Sequence, residues 1–251
     1  MKRDSGTIKC IARKKLMGNY GILIGALILA ELFPSVILTL FQAVCDLNTT
    51  NGMLVFVLAN IIVAILSILL SIGLVYMLMN ILRGVKMTYS DLFFAFKNHP
   101  DRFILAGLLE LVIFLLPIAP GYALIIVSSY TLDIMQMALG LFLMAIGIVI
   151  EVILTLIFSM IFEIMIDNPE YGVIESFKES ANIMKGNKGR LFYLGISFIG
   201  WLLLGLLSFG IAYLWISIYI NAAMVVFYFD ITGEVMDDEE QHFEICFDEA
   251  I

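Results

Sequence analysis

The chain has 251 residues, of which 62% are hydrophobic and 14% charged, and its mean hydropathy is +1.03. Soluble domains carry charge on roughly a quarter of their residues, so a soluble globular fold is excluded. The formal charge of −8 is unevenly spread along the chain, and that unevenness carries topological information.

The chain opens on a basic segment with Lys2, Arg3, Lys9, Arg13, Lys14 and Lys15. Its part from Ile8 to Met17 is read as a short interfacial helix. An apolar run, Tyr20–Val44, follows. It outruns a signal-peptide core of about 7–15 residues, and no small-x-small cleavage site succeeds it. The run is therefore read as an uncleaved first span, with Glu31 near mid-membrane and Pro34 kinking the helix after it. The second span is Leu54–Leu82. A basic loop then brings Arg83, Lys86, Lys97 and Arg102. Within it "SDLFFAF" reads as a second interfacial helix, capped by Ser90, with Leu92, Phe93 and Phe96 toward lipid or protein.

The third span, Phe103–Ser129, holds Glu110. Its Pro117, Pro120 and Gly121 read as a kink, as the start of an outer turn or as a break of the kind that lines transporter sites. The fourth, Ile134–Met165, holds Glu151 and, near its end, Glu163, expected to snorkel or to pair with a basic residue. The polar stretch "DNPEYGVIESFKESANIMKGNKGR" (167–190) comes next. Asn168 suits an N-cap, Pro169 the first helical position, and Gly186 a left-handed close. Val173, Ile174, Phe177, Ala181 and Met184 recur at helical spacing. This predicts a third amphipathic interfacial helix. Asp167, Asn168, Pro169, Lys185, Gly186, Lys188 and Arg190 are its candidate functional residues. Leu191–Leu207 and Ile211–Phe229 make the fifth and sixth spans about the turn Ser208–Gly210. An acidic tail, 231–251, closes the chain. It reads as solvated, or as folding back on the basic loops.

All the lysines and arginines precede span one or lie between spans two and three or four and five. The positive-inside rule then gives an all-α protein of six membrane helices with both termini cytoplasmic. Residues 1–230 form a single transmembrane domain. "KLMGNYGILIGALIL", "AFKNHPDRFILAGLLEL" and "IMKGNKGRLFYLGISF" share an asparagine (Asn19, Asn98, Asn187) ahead of a glycine-bearing span (Gly25, Gly107, Gly195). This suggests a threefold internal repeat. Cys10, Cys45 and Cys246 are far apart, and His99 and His242 are the only histidines. No disulfide framework, metal or cofactor is expected.

"FSMIFEIMIDNPE" (158–170), "MKGNKGRLFYLGISFIGW" (184–201) and "GIAYLW" (210–215) with Tyr219 and Phe227–Tyr228 resemble the family called domain of unknown function 975. "ARKKLMGNYG" and "SDLFFAF" are similar to it as well. The resemblance implies a six-span integral membrane protein, mainly of Gram-positive bacteria, hence of the bacterial cytoplasmic membrane. It implies no established activity and no catalytic residues. Two positions depart from the family's pattern. Pro120–Gly121 falls inside the third span rather than before the fourth, and Ile218 stands where proline is common.

Charged groups within a bilayer are functional candidates by default. Glu31, Glu110 and Glu151 are therefore singled out, with Glu110 and Glu151 preferred. No phosphate loop, Ser/His/Asp set or nucleic-acid footprint is present, so no enzyme is expected. The expected function is a non-enzymatic envelope component. Its partners would be the bilayer, anionic lipid headgroups at the cytoplasmic face, and a membrane or cytoplasmic protein. The alternative is a small-solute or proton-coupled permease.

Overall fold

The computed structural model describes residues 3–45 and 49–234. The tail beyond Glu234, with Cys246 and His242, and the loop 46–48 lie outside the described residues. Among the described residues every regular element is a helix. Six helices are long and apolar enough to cross a membrane. They are Tyr20–Val44 (25 residues), Thr50–Leu82 (33), Pro100–Thr131 (32), Ile134–Asp167 (34), Lys188–Leu207 (20) and Tyr213–Thr232 (20). All six expected spans are present, the second and third starting earlier than expected because polar residues join their first turns.

Span two is the hub. It contacts spans one, three and six and the short helices at one end. The core lies here: Leu23 and Ala26 of span one, Ile72, Met77 and Leu78 of span two, and Ala222, Val226 and Phe229 of span six are all buried. Spans three and four form a hairpin packed chiefly on itself. A Cβ on Gly121 would stand 2.5 Å from the Met144 backbone nitrogen, and one on Gly140 2.9 Å from the Ile125 side chain. Pro117 and Pro120 sit inside the continuous helix Pro100–Thr131. They neither break it nor start the outer turn, which comes at Leu132 (φ 54). Gly147 lies against the Pro117 backbone. A neighbouring helix covering freed backbone groups is what lets proline persist in such a span.

Span four stops and restarts at Ser159–Met160. The cause is a side chain inserted into its ladder. Ser180, fully buried, donates through Oγ to the Ile157 carbonyl (2.9 Å) and accepts from the Met160 N–H (3.4 Å). Ser180 belongs to the helix Val173–Ile183, which begins later than the Asn168–Pro169 signal suggested. Its cap is Gly172, whose N–H donates to the Glu175 carboxylate at 3.4 Å. Asn168 instead closes span four, its Nδ2 donating to the Ile164 carbonyl at 3.0 Å. The buried side is Val173, Ser176, Phe177 and Ser180, whereas Ile174 is 66% exposed. Spacing alone put Ile174 inside, but the inward face is set by Ser180 engaging the span-four break. Gly186 closes this segment with φ 78, as expected.

The other two short helices also lie at this end. Ser5–Leu16, capped by Asp4, docks under spans two and six and buries Ile8, Ile11, Ala12 and Leu16. The 3₁₀ turn Tyr89–Phe93 runs into the helix Phe94–Lys97. Thr88, not Ser90, caps it: the Thr88 N–H donates to Asp91 at 2.7 Å. Ser90 instead accepts from Lys97 Nζ at 2.9 Å.

The three repeat asparagines all donate Nδ2 to the carbonyl four residues back: Asn19 to Lys15, Asn98 to Phe94 and Asn187 to Ile183. Asn19 (φ −110, ψ −1) and Asn187 (φ −112, ψ −9) share a conformation behind a left-handed glycine, Gly18 or Gly186. Asn98 (φ −120, ψ 84) instead matches Asn168 (φ −121, ψ 81). The likeness is thus close between the first and third copies, and the second departs from it. Cys45 has a free thiol, and Cys10 is disulfide-bonded, which corrects the expectation that the cysteines form no disulfide.

Candidate functional site

Polar side chains gather in two places. The first is the end where the basic loops meet. Arg83, just past span two, donates to Asp167 (2.9 Å) and, through two nitrogens, to Glu234 (2.6 and 2.8 Å). Its guanidinium stacks 4.8 Å from the Phe229 ring centroid. The bonds to Glu234, and then those to Asp167, raise its pKa above the ordinary arginine value against the cost of burial. Asp230 ends span six with a side chain only 3% exposed. It accepts from the Arg190 guanidinium and, at 3.2 Å, from the Arg3 backbone N–H. Arg102 donates to the Pro169 and Asn168 carbonyls.

Spans two to six and the N-terminal segment are therefore tied together at one end. Ser208–Gly210 is a true turn, with Phe209 at φ 54 and Gly210 at φ 89, so span six returns to the basic end. Of the candidates in the polar stretch, Asp167, Asn168, Pro169 and Arg190 join this network. Gly186 is a cap, Lys188 opens the span-five helix, and Lys185 is exposed. Asp230 was missed, because in the sequence it reads only as the edge of the acidic tail. Glu234 is the one tail acid among the described residues, and it folds back on a basic loop.

The second place is a cavity of about 500 Å³ between spans one, two and six, reached also by span four. Its polar lining is Glu31, Ser71, Tyr213, Ser217 and Asn221. Glu31 stands in a π-helical turn, Ile28–Leu32, where the Phe33 N–H reaches back to the Ile28 carbonyl. Pro34 is the local reason. It has no N–H to give Ala30, so the ladder widens by one residue just before it. Glu31, Ser71 and Asn221 each stand about eleven residues from the basic end of their span. At about 1.5 Å per residue that is about 16 Å, half of a hydrocarbon core of about 30 Å. This shared depth was available from the sequence once three spans are laid side by side.

Glu163 differs from expectation. Glu163 is buried, 6% exposed, rather than reaching out, and the charges that act on it are those of Glu110 and Asp167. No ion pair joins it to a basic residue among the described residues. Glu110 and Glu151 are half-buried and line neither place.

The sequence model of the family described as "Protein of unknown function (DUF975)" matches residues 1–234. The chain belongs to that family. No curated protein and no solved structure matches it. In this DUF975 member the match covers all six spans and the whole basic end.

Proposed function

We propose that this protein is a non-enzymatic component of the bacterial cytoplasmic membrane, with both chain ends cytoplasmic, that gathers anionic lipid around its basic end. One observation carries the reading. Asp167 and Glu234 are paired with Arg83 and Asp230 with Arg190, while Lys86, Lys97, Lys178 and Lys185 remain exposed around the rim, interspersed with the exposed acids Asp101, Glu170 and Glu175. A basic residue beside an anionic leaflet gains about 1 kcal/mol, so four give about 4 kcal/mol of preference. Replacing these four lysines by Gln and weighing the lipid co-purified from a mixed membrane tests it. The expected result is a lower share of anionic lipid, and an unchanged share overturns the reading.

Sidedness has its own test. A Ser90→Cys thiol in intact cells should resist a membrane-impermeant maleimide and react after permeabilisation. Labelling of Ser90→Cys in intact cells, in a background with Cys45 replaced by Ser, overturns the orientation. A permease reading is favoured by one observation, the mid-depth cavity beside Glu31.

A further inference from the structure

The cavity between spans one, two and six holds a carboxylate with nothing to neutralise it. Glu31 makes no hydrogen bond or ion pair among the described residues, and none of the side chains lining the cavity is basic. A bare carboxylate at mid-depth is costly in a bilayer, and by default it marks a site.

The neighbouring polar groups show what the cavity lacks. Ser71 Oγ donates to the Ile68 carbonyl (2.9 Å) and Ser217 Oγ to the Leu214 carbonyl (3.5 Å). The Tyr213 hydroxyl donates to the Leu202 carbonyl (3.1 Å), and one amide hydrogen of Asn221 goes to the Ser217 carbonyl (2.8 Å). Each hydroxyl has a single hydrogen to give. With those hydrogens spent on backbone, the hydroxyls of Ser71, Ser217 and Tyr213 can only accept. So can Glu31, and the Asn221 carbonyl accepts too. The cavity is an open-sided, acceptor-rich recess with one negative group, the exposed Glu31, and walls of Leu27, Ile72 and Phe162. Its complement is a cation that brings several N–H donors on a small apolar body.

We propose that this cavity is a binding site for a protonated organic amine, held by the Glu31 carboxylate and the acceptor oxygens of Ser71, Ser217 and Asn221. A volume of about 500 Å³ falls in the range of small-molecule sites, about 300–1,000 Å³. The apolar walls select an alkyl or aromatic amine over a bare inorganic cation. The proposal concerns binding, does not rest on the lipid reading, and stands whether or not the protein moves a solute. Amines occur both free and as lipid headgroups, and the depth of about 16 Å favours the free form.

The test is calorimetric titration of the full chain in phosphatidylcholine nanodiscs with phenethylamine. Phenethyl alcohol and the trimethylated quaternary ammonium serve as comparison ligands. The amine should bind at least about tenfold tighter than either, a gap of about 1.4 kcal/mol. Glu31→Gln should lose at least as much, with its melting temperature in the absence of amine equal to or above that of the wild type, since Glu31 holds no partner and a bare carboxylate at mid-depth is costly. Ser217→Ala, which leaves the carboxylate in place, should weaken binding less. Repeating the titration in phosphatidylethanolamine separates the sources: a lower apparent affinity there means that the lipid amine occupies the site, and an equal one that the free amine does. Equal binding of the amine and the alcohol overturns the proposal, as does full amine affinity in folded Glu31→Gln.

Discussion

Gly73→Ala is the sharpest test of the packing. Gly73 faces the turn Tyr89–Phe93 at backbone distance. A Cβ there would lie 2.5 Å from the Leu92 carbonyl carbon, 3.0 Å from its Cα, and nearer still to its carbonyl oxygen. Restoring ordinary contact requires the two backbones to part by roughly 1 Å or more, and dispersion contacts fall off over that distance. What would part is tightly packed: Leu92 and Ala95 are fully buried, and the Tyr76 and Phe94 rings stack with centroids 3.9 Å apart. Overpacking costs about 1–3 kcal/mol, and a clash with backbone lies at the upper end. Alanine returns about 1 kcal/mol of helix propensity, leaving a net loss of about 2 kcal/mol. For a chain of this size that is a fall in melting temperature of about 4–8 °C, read by thermal unfolding in detergent. Gly189→Ala is the control, because nothing lies within 4 Å of its Cβ. It should hold or raise the melting temperature. A Gly73→Ala protein that melts with the wild type, or with the control, refutes the close approach.

Ser180→Ala should cost about 1–3 kcal/mol, because the buried Met160 N–H loses its acceptor. Hydrogen exchange at Met160 should quicken, and unchanged protection there counts against the Ser180 bridge. Asp230→Asn leaves Arg190 facing a neutral amide. It should cost about 3 kcal/mol, the low end for a broken buried pair, since the Arg190 side chain is 24% exposed. Wild-type stability in chemical unfolding would remove Asp230 from the structural network. Asp4→Ala removes the cap of Ser5–Leu16, where Asp4 accepts from the Thr7 N–H at 3.1 Å. It should cost about 1 kcal/mol. The Thr7 hydroxyl bond lowers the Asp4 pKa below its usual value. The ionised cap therefore contributes above the unfolded carboxyl pKa, and the contribution fades as pH falls through the lower folded value. An Asp4→Ala deficit that persists equally at strongly acid pH contradicts this.

The spans were legible because bilayer length and apolarity are properties of single segments. The basic end was legible because each Lys and Arg announces itself in the chain. What was hidden depends on pairs of segments. The break at Ser159–Met160 comes from Ser180, a residue that looks like any helical serine until the two elements meet. Asn168 and Pro169 carry a plausible start signal, yet Asn168 serves equally well as the end of the preceding helix, and Asn98 shows the same alternative use. Pro117 and Pro120 look like breakers, but the close glycines of span four support the helix through them. Glu31 was seen, but its neutral neighbours Ser71, Ser217 and Asn221 acquire meaning only at equal depth. The π turn around it follows from Pro34, whose missing N–H signalled a kink but not its form.

The spans described above also differ in height across the bundle. The apolar stretch Phe103–Ser129 of the third span measures about 40 Å at about 1.5 Å per residue. To fit a core of about 30 Å by leaning alone it needs a tilt of about 40°, the extreme of what membrane helices adopt. Leu191–Leu207, which packs beside span four, and Tyr213–Phe229 reach only about 25 Å each by the same rise. One protein thus asks the surrounding lipid to stretch along the three–four hairpin and to thin beside spans five and six. Such a mismatch, at fractions of a kcal/mol per Å, sorts lipid by chain length around its perimeter.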